Sequence, residues 1–83
     1  MNILYSLHVL TEVIFNDYDS VVNFSLDCEG LIINIKAKNG KTYHYKIDVM
    51  RTDENTIQEW LDKVPELFRQ SLIDEALGKT YRD

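Results

Sequence analysis

Apolar residues near the N-terminus recur every three or four positions, and a second apolar stripe lies beside the first. The first stripe consists of Ile3, Leu7, Leu10 and Ile14, and the second of Tyr5, Val9 and Val13. This spacing predicts a helix over residues 3–15, although the alternation from residue 3 to residue 9 would also suit a strand. We expect the first stripe to face a core. The second stripe contacts either the C-terminal helical segment or another chain. In the latter case the other chain could be a second copy, which would give a homodimer.

The middle of the chain alternates apolar and polar residues with a period of two. This pattern is typical of a sheet with one buried face. It predicts strands over residues 21–28, 31–37 and 41–49.

Two turns set the register of these strands. A two-residue turn at Glu29-Gly30 pairs Cys28 with Leu31 and Leu26 with Ile33, apolar with apolar. It also places Cys28 on the buried face. A three-residue turn at residues 38–40 pairs Ile35 with Tyr43 and puts Gly40 in a left-handed position.

The last third of the chain predicts helical structure that begins at a cap, either Asp53 or Asn55. Pro65 disfavours helical geometry at the preceding residue, which indicates helices over residues 55–63 and 65–77, or one kinked helix. Residues 78–83 form a tail. The fold class is therefore α+β in one domain, residues 1–83: a helix, a meander of order 1-2-3, and C-terminal helices over one sheet face.

Composition excludes several classes of protein. No apolar stretch approaches the roughly 18 residues of a membrane span, and the N-terminus has no pattern of a signal peptide. A single cysteine, Cys28, cannot form an internal disulfide, which indicates a cytoplasmic protein.

Charge is distributed unevenly along the chain, whose net charge is −5. Residues 1–30 contain five acids and no Lys or Arg, residues 31–47 contain four lysines and no acid, and residues 48–77 contain eight acids and three bases. An acidic body repels nucleic acid and attracts basic surfaces.

No catalytic constellation accompanies these patterns. In the alternation of their strands, Cys28 falls on the buried face and His44 on the exposed face. They therefore do not form a nucleophile and base on one face. His8 and Glu12 form a surface pair, and Asp17-Tyr18-Asp19 departs from a calcium loop after its start. We therefore expect no enzymatic activity, no metal and no cofactor.

Carboxylates are the candidate binding residues, and the partner is a protein with a basic, nucleic-acid-binding surface. The first group is Asp17, Asp19, Asp27 and Glu29; the second is Asp53, Glu54, Glu59 and Asp62. Two alternatives stay open: a homo-oligomeric or antitoxin-like module using the second apolar stripe, and RNA binding by the basic sheet face. That face carries Lys36, Lys38, His44 and Lys46.

The layout resembles the small acidic phage proteins that inhibit Cas9, the type II-A anti-CRISPRs, over roughly residues 1–62. The features shared with them are Met1-Asn2-Ile3 opening a helix, Asp17-Tyr18 before the first strand, Leu31-Ile32-Ile33, Gly40, Tyr43 and an acidic helical half. The resemblance implies a phage protein that mimics DNA at the nuclease site that reads DNA beside the target. Lys38 and Lys41 flank the second hairpin turn, which is acidic in one member of that family, so no contact residues are transferred.

Overall fold

The computed structural model describes residues 3–28 and 30–78. Its elements, in chain order, are α1 (Ile3–Tyr18), β1 (Val21–Asp27), β2 (Gly30–Lys36), β3 (Thr42–Ile47) and α2 (Glu54–Ala76). The strands form one antiparallel sheet of order β1-β2-β3. The predicted α+β layout is therefore confirmed. Neither described helix is long and apolar enough to cross a membrane.

The first apolar stripe of α1 packs on the sheet, as its spacing predicts. Leu7, Leu10 and Ile14 are buried, and Tyr18 continues the same side of the helix by one more turn. The ring of Tyr18 meets Phe68 of α2 edge-on, with centroids 5.3 Å apart. This contact explains why α1 runs beyond the predicted end at residue 15.

One layer of helix covers one face of the sheet, and the core lies between them. Twelve buried apolar side chains make up this core, and they come from α1, β1, β2, the position after β2, and α2: Leu7, Leu10, Ile14, Val22, Leu31, Ile33, Ile35, Ala37, Ile57, Leu61, Val64 and Phe68. Strand β3 adds half-buried side chains, those of Tyr43, Tyr45 and Ile47. The opposite sheet face carries no helix among the described residues, and its side chains are exposed or half-buried.

The turn between β2 and β3 has the predicted register. Ile35 pairs with Tyr43, and the N–H of Gly40 donates to the carbonyl oxygen of Ala37 at 2.9 Å. Gly40 has a φ of 90°, a conformation that disfavours other residues.

The register predicted between β1 and β2 is wrong by two residues. Leu26 pairs with Leu31, and Asp27 pairs directly with Gly30, which belongs to β2 and not to a turn. A Cβ at Gly30 would lie 2.3 Å from the carbonyl oxygen of Ile47, so only glycine fits where β3 passes this closely. Because the error is an even number of residues, the faces of β1 are as predicted. Cys28, however, lies beyond the strand and is exposed, so its predicted core position is wrong.

The C-terminal half is one helix of 23 residues with Pro65 inside it, and not the two helices that were one of the predicted forms. Asp53 is the N-cap: its carboxylate accepts the N–H of Thr56 at 2.8 Å. Burial of Val64 and Phe68 on either side of Pro65 holds the segment against the sheet despite the missing N–H of proline.

Candidate partner-binding surface

Strand β1 lies at an edge of the sheet. The hydrogen bonds at the turn between β2 and β3 show which of its backbone N–H and C=O groups face away from β2. Ala37 donates its N–H to the carbonyl oxygen of Lys41 at 2.8 Å, so the odd-numbered residues of β2 direct their backbone groups to β3 and the even-numbered ones to β1. The even-numbered residues of β2 pair with odd-numbered residues of β1, so the odd-numbered residues of β1 form the hydrogen bonds to β2. The N–H and C=O groups of Val22, Phe24 and Leu26 therefore point away from the sheet.

The side chains of the same residues lie on the inward face, but the helices cover only the start of the strand. Val22 is buried, whereas Phe24 is 45% exposed and Leu26 is 67% exposed. An open groove of about 410 Å³ lies at this end of the sheet. Its lining is mostly apolar and comes from the start of α1, β1, β2, the segment after β3, and the start of α2. Thr52 before α2 and Glu54 at its start add polar groups.

The outer side of α1 continues this apolar surface. Leu4 lines the groove with Phe24 and Leu26 and is 74% exposed. Phe15, eleven residues along the helix, returns to the same side after about three turns and is 58% exposed. We call the surface formed by Leu4, Phe15, Phe24 and Leu26 the β1 flank. Three of its side chains adjoin in the groove and Phe15 lies on the same side of α1 as Leu4; clustered exposed apolar residues of this kind are typical of an interface.

The candidate carboxylates of the first group lie at the two ends of β1. Asp17 and Asp19 are exposed where α1 ends and the chain enters the strand, and Asp19 has a φ of 57° and an ion pair with Lys38 at 3.8 Å. Asp27 ends the strand, and its carboxylate accepts the N–H of Gly30 at 3.1 Å. By the rise of a strand, the two ends are about 20 Å apart. Glu29 lies outside the described residues.

The second group of carboxylates divides between two places on α2. Glu54 lines the groove beside Leu26, and Asp53, next to it, caps the helix. The hydrogen bonds that Asp53 accepts from Thr56 lower the pKa of its carboxyl group from the ordinary value of 3.8. Glu59 is exposed further along the helix. The structure therefore brings Asp53 and Glu54 towards the β1 flank and leaves Glu59 apart.

The predicted second stripe of α1 faces α2 across a shallow groove of about 270 Å³. Tyr5, Val9 and Val13 form one wall, and Leu61 and Pro65 contribute to the other. Val9 is 39% exposed, so α2 covers the stripe only in part. At one end of this groove, Ser6 donates to Gln58 at 2.8 Å, and Gln58 donates to Asp62 at 3.2 Å. These bonds tie α1 to α2 and give Asp62 a structural partner.

The basic sheet face predicted from the alternation of apolar and polar residues is less continuous in the structure. Lys36, His44 and Lys46 lie on the outward sheet face, but Lys38 lies in the turn and pairs with Asp19. His44 forms a hydrogen bond with Asn34 across the strands. The described outward positions of the three strands include no Phe, Tyr or Trp. Sequence-reading RNA sheets use such rings for base stacking.

Sequence reasoning missed the apolar part of this surface. Phe24 and Leu26 were expected to be covered because their parity is inward, and Leu4 and Phe15 lie outside both stripes of α1. The available signal was the number of covering elements. Two helices cover three strands incompletely, so one strand keeps inward residues exposed.

Comparisons with known proteins do not identify a relative. No family model matches the chain, no curated protein matches it, and no solved structure matches it.

Proposed function

We propose that this protein is a non-catalytic binding module that uses the β1 flank to occupy a basic surface on another protein and thereby inhibits it. The observation that carries the proposal is the pairing of exposed apolar side chains with charge of one sign. Leu4, Phe15, Phe24 and Leu26 are all exposed, while residues 1–30 contain no Lys or Arg.

Each component has a separate role in such binding. Apolar side chains removed from water supply most of the affinity, at about 25 cal/mol per Å². Carboxylates around them raise the association rate with a cationic partner and suppress binding to anionic ones. Asp17, Asp19 and Asp27 occupy suitable positions at the ends of β1, and Glu54 lies in the groove.

The resemblance to anti-CRISPR proteins supports one class of partner, a nuclease with a basic DNA-binding channel. Carboxylates at both ends of β1 would take the place of DNA phosphates there. The positions of Lys38 and Lys41 limit this argument to the class of partner: Lys38 pairs with Asp19 and Lys41 with Glu75, so the second hairpin does not present acids.

The experiment compares two variants that lose the same number of charges. The first neutralises the acids at the ends of β1 with Asp17→Asn, Asp19→Asn and Asp27→Asn. Asparagine tolerates the left-handed conformation of position 19 and keeps an acceptor for the N–H of Gly30. The control variant carries Glu59→Gln, Asp62→Asn and Glu66→Gln on α2.

A partner is first captured from native host lysate with the wild-type protein, and its affinity for each variant is then measured over a range of salt concentrations. We expect the β1 variant to bind more weakly with a flatter salt dependence, and the α2 variant to match the wild type. Equal binding by both variants would contradict the proposal. RNA binding abolished by Lys36→Gln and Lys46→Gln would replace it with the basic-face alternative.

A further inference from the structure

We propose that the partner contributes an extended segment that pairs with the edge of β1 as a fourth strand of the sheet. This proposal rests on the binding function of the β1 flank and specifies what occupies it. The segment has apolar side chains at alternate positions and a Lys or Arg at each end.

The backbone of β1 is ready for such pairing. Val22, Phe24 and Leu26 direct their N–H and C=O groups away from β2, along one edge. Proteins usually protect such an edge with lysine, proline, a bulge or a covering segment. Residues 21–27 contain no lysine and no proline, their pairing with β2 is unbroken, and their one charge is at the end, at Asp27. Backbone hydrogen bonds to an added strand are a known mode of peptide recognition.

The inward side of an added strand would meet the apolar residues of the β1 flank. The strand would lie about 4.8 Å beyond β1. Its inward side chains would then pack beside Phe24 and Leu26 and under Leu4 and Phe15 of α1, which are exposed. This position requires apolar residues at every second place. The outward neighbours in the centre are Asn23 and Ser25, which suit neutral polar partners.

The charges at the ends of β1 select a cationic chain over a second copy of this protein. Two copies paired antiparallel about Phe24 would place Asp27 of each opposite Val21 of the other, close to Asp19. Lys38 offsets only one of the two acids at that end, Asp17 and Asp19, so like charges would meet at both ends of such a pair, which is destabilising. A segment with Lys or Arg beyond each end would instead form an ion pair at each end.

The probe is a synthetic capped peptide in which threonine and valine alternate. It contains three valines in all and has one lysine at each end. In an antiparallel pairing, the valines lie opposite Val22, Phe24 and Leu26. Each valine forms a hydrogen-bonded pair with the residue opposite, so the valine N–H groups point towards β1. The threonine N–H groups point away. Methylation of the valine nitrogens therefore blocks the pairing, while methylation of three threonine nitrogens leaves it intact.

Binding is measured by titration, and hydrogen exchange of the β1 amides is followed by NMR. We expect the peptide to protect the amides of Val22, Phe24 and Leu26 from exchange. Valine methylation should weaken binding at least about tenfold, because about three hydrogen bonds are lost. Threonine methylation should change it by less than about twofold. Equal binding by both methylated peptides, or binding without amide protection, overturns the strand proposal.

A third peptide, of the same composition but with valines and threonines in two blocks, separates this proposal from the proposed function. Equal binding of the block peptide, lost on neutralising Asp17, Asp19 and Asp27, retains the acidic binding surface and excludes strand pairing. No binding of any peptide also excludes strand pairing, since the isolated strand carries every contact proposed. Dimerisation of the protein alone that protects the same three amides would show that a second copy occupies the edge.

Discussion

Gly30→Ala is expected to destabilise the sheet strongly, because the backbone of β3 lies against this position. The added Cβ would lie 2.3 Å from the carbonyl oxygen of Ile47, 3.1 Å from its carbonyl carbon and 3.3 Å from Cα of Asp48. Ordinary van der Waals contact begins near 3.4 Å. The end of β3 must therefore move by about 1 Å, since these are backbone atoms that cannot rotate away.

Two costs contribute to the loss of stability. Gly30 has a φ of 154°, and strain at such a position costs an L-residue about 1–3 kcal/mol. Forcing extra atoms into a packed region costs about 1–3 kcal/mol more. Together the two costs span about 2–6 kcal/mol. Even about 3 kcal/mol, in the lower half of that range, is a large share of the stability expected for 83 residues, about 4–12 kcal/mol. For a domain of this size it lowers the melting temperature by about 12–24 °C.

Gly40→Ala is the matched control. Gly40 also has a positive φ, of 90°, but no atom lies within 4 Å of the point that a Cβ would occupy there. Its substitution should cost only the conformational strain, about 1–2 kcal/mol. Thermal and urea unfolding of both variants, followed by circular dichroism, measure the difference. A Gly30→Ala variant no less stable than Gly40→Ala would refute the close approach of β3 and the register of β1 and β2 that depends on it.

Three further predictions concern the helices and β3. Val9→Glu should leave the protein folded with a small loss of stability, because Val9 is 39% exposed. An unfolded variant in a thermal melt would contradict this, and light scattering of both proteins would show whether the substitution dissociates a wild-type dimer. Asp53→Ala should lower the melting temperature at neutral pH and have a smaller effect at low pH. The lowered pKa of Asp53 stabilises the fold above pH 3.8, and this contribution is lost as pH falls through the folded-state pKa, whereas the neutral carboxyl still caps the helix; melts of both proteins at several pH values would show the difference. Tyr45→Phe should cost about 1 kcal/mol through the lost hydrogen bond to Ser71. Burial raises the pKa of Tyr45 from the ordinary value of 10.0, so the wild type should lose stability as pH rises past 10.0. Urea unfolding of both proteins across that pH range checks both effects.

Local pattern was enough to predict the elements and their faces. The spacing of Leu7, Leu10 and Ile14 identified the buried side of α1, and the period of two identified the inward side of each strand. The left-handed Gly40 and the pairing of apolar residues predicted the register of β2 and β3. Each of these depends on neighbours within a few residues in the chain, and that information is present in the sequence.

The register of β1 depended on a contact that local pattern does not contain. Glycine before Leu31 is as suitable for a turn as for a strand, and both registers pair apolar residues. The approach of Ile47, seventeen residues later, selects the strand. The exposure of Cys28 follows from the same contact, since it ends β1 one residue earlier.

The acidity of the N-terminal half was determined by the sequence alone, because charge depends only on composition. Which acids lie together, and beside which apolar residues, was decided by the tertiary structure. It separates Asp19 from Asp27 by the length of β1 and brings Glu54 beside Leu26. It also leaves Phe24 and Leu26 exposed although their parity is inward. Parity specifies a face, whereas burial requires an element to cover it, and two helices do not extend over the edge of a three-stranded sheet.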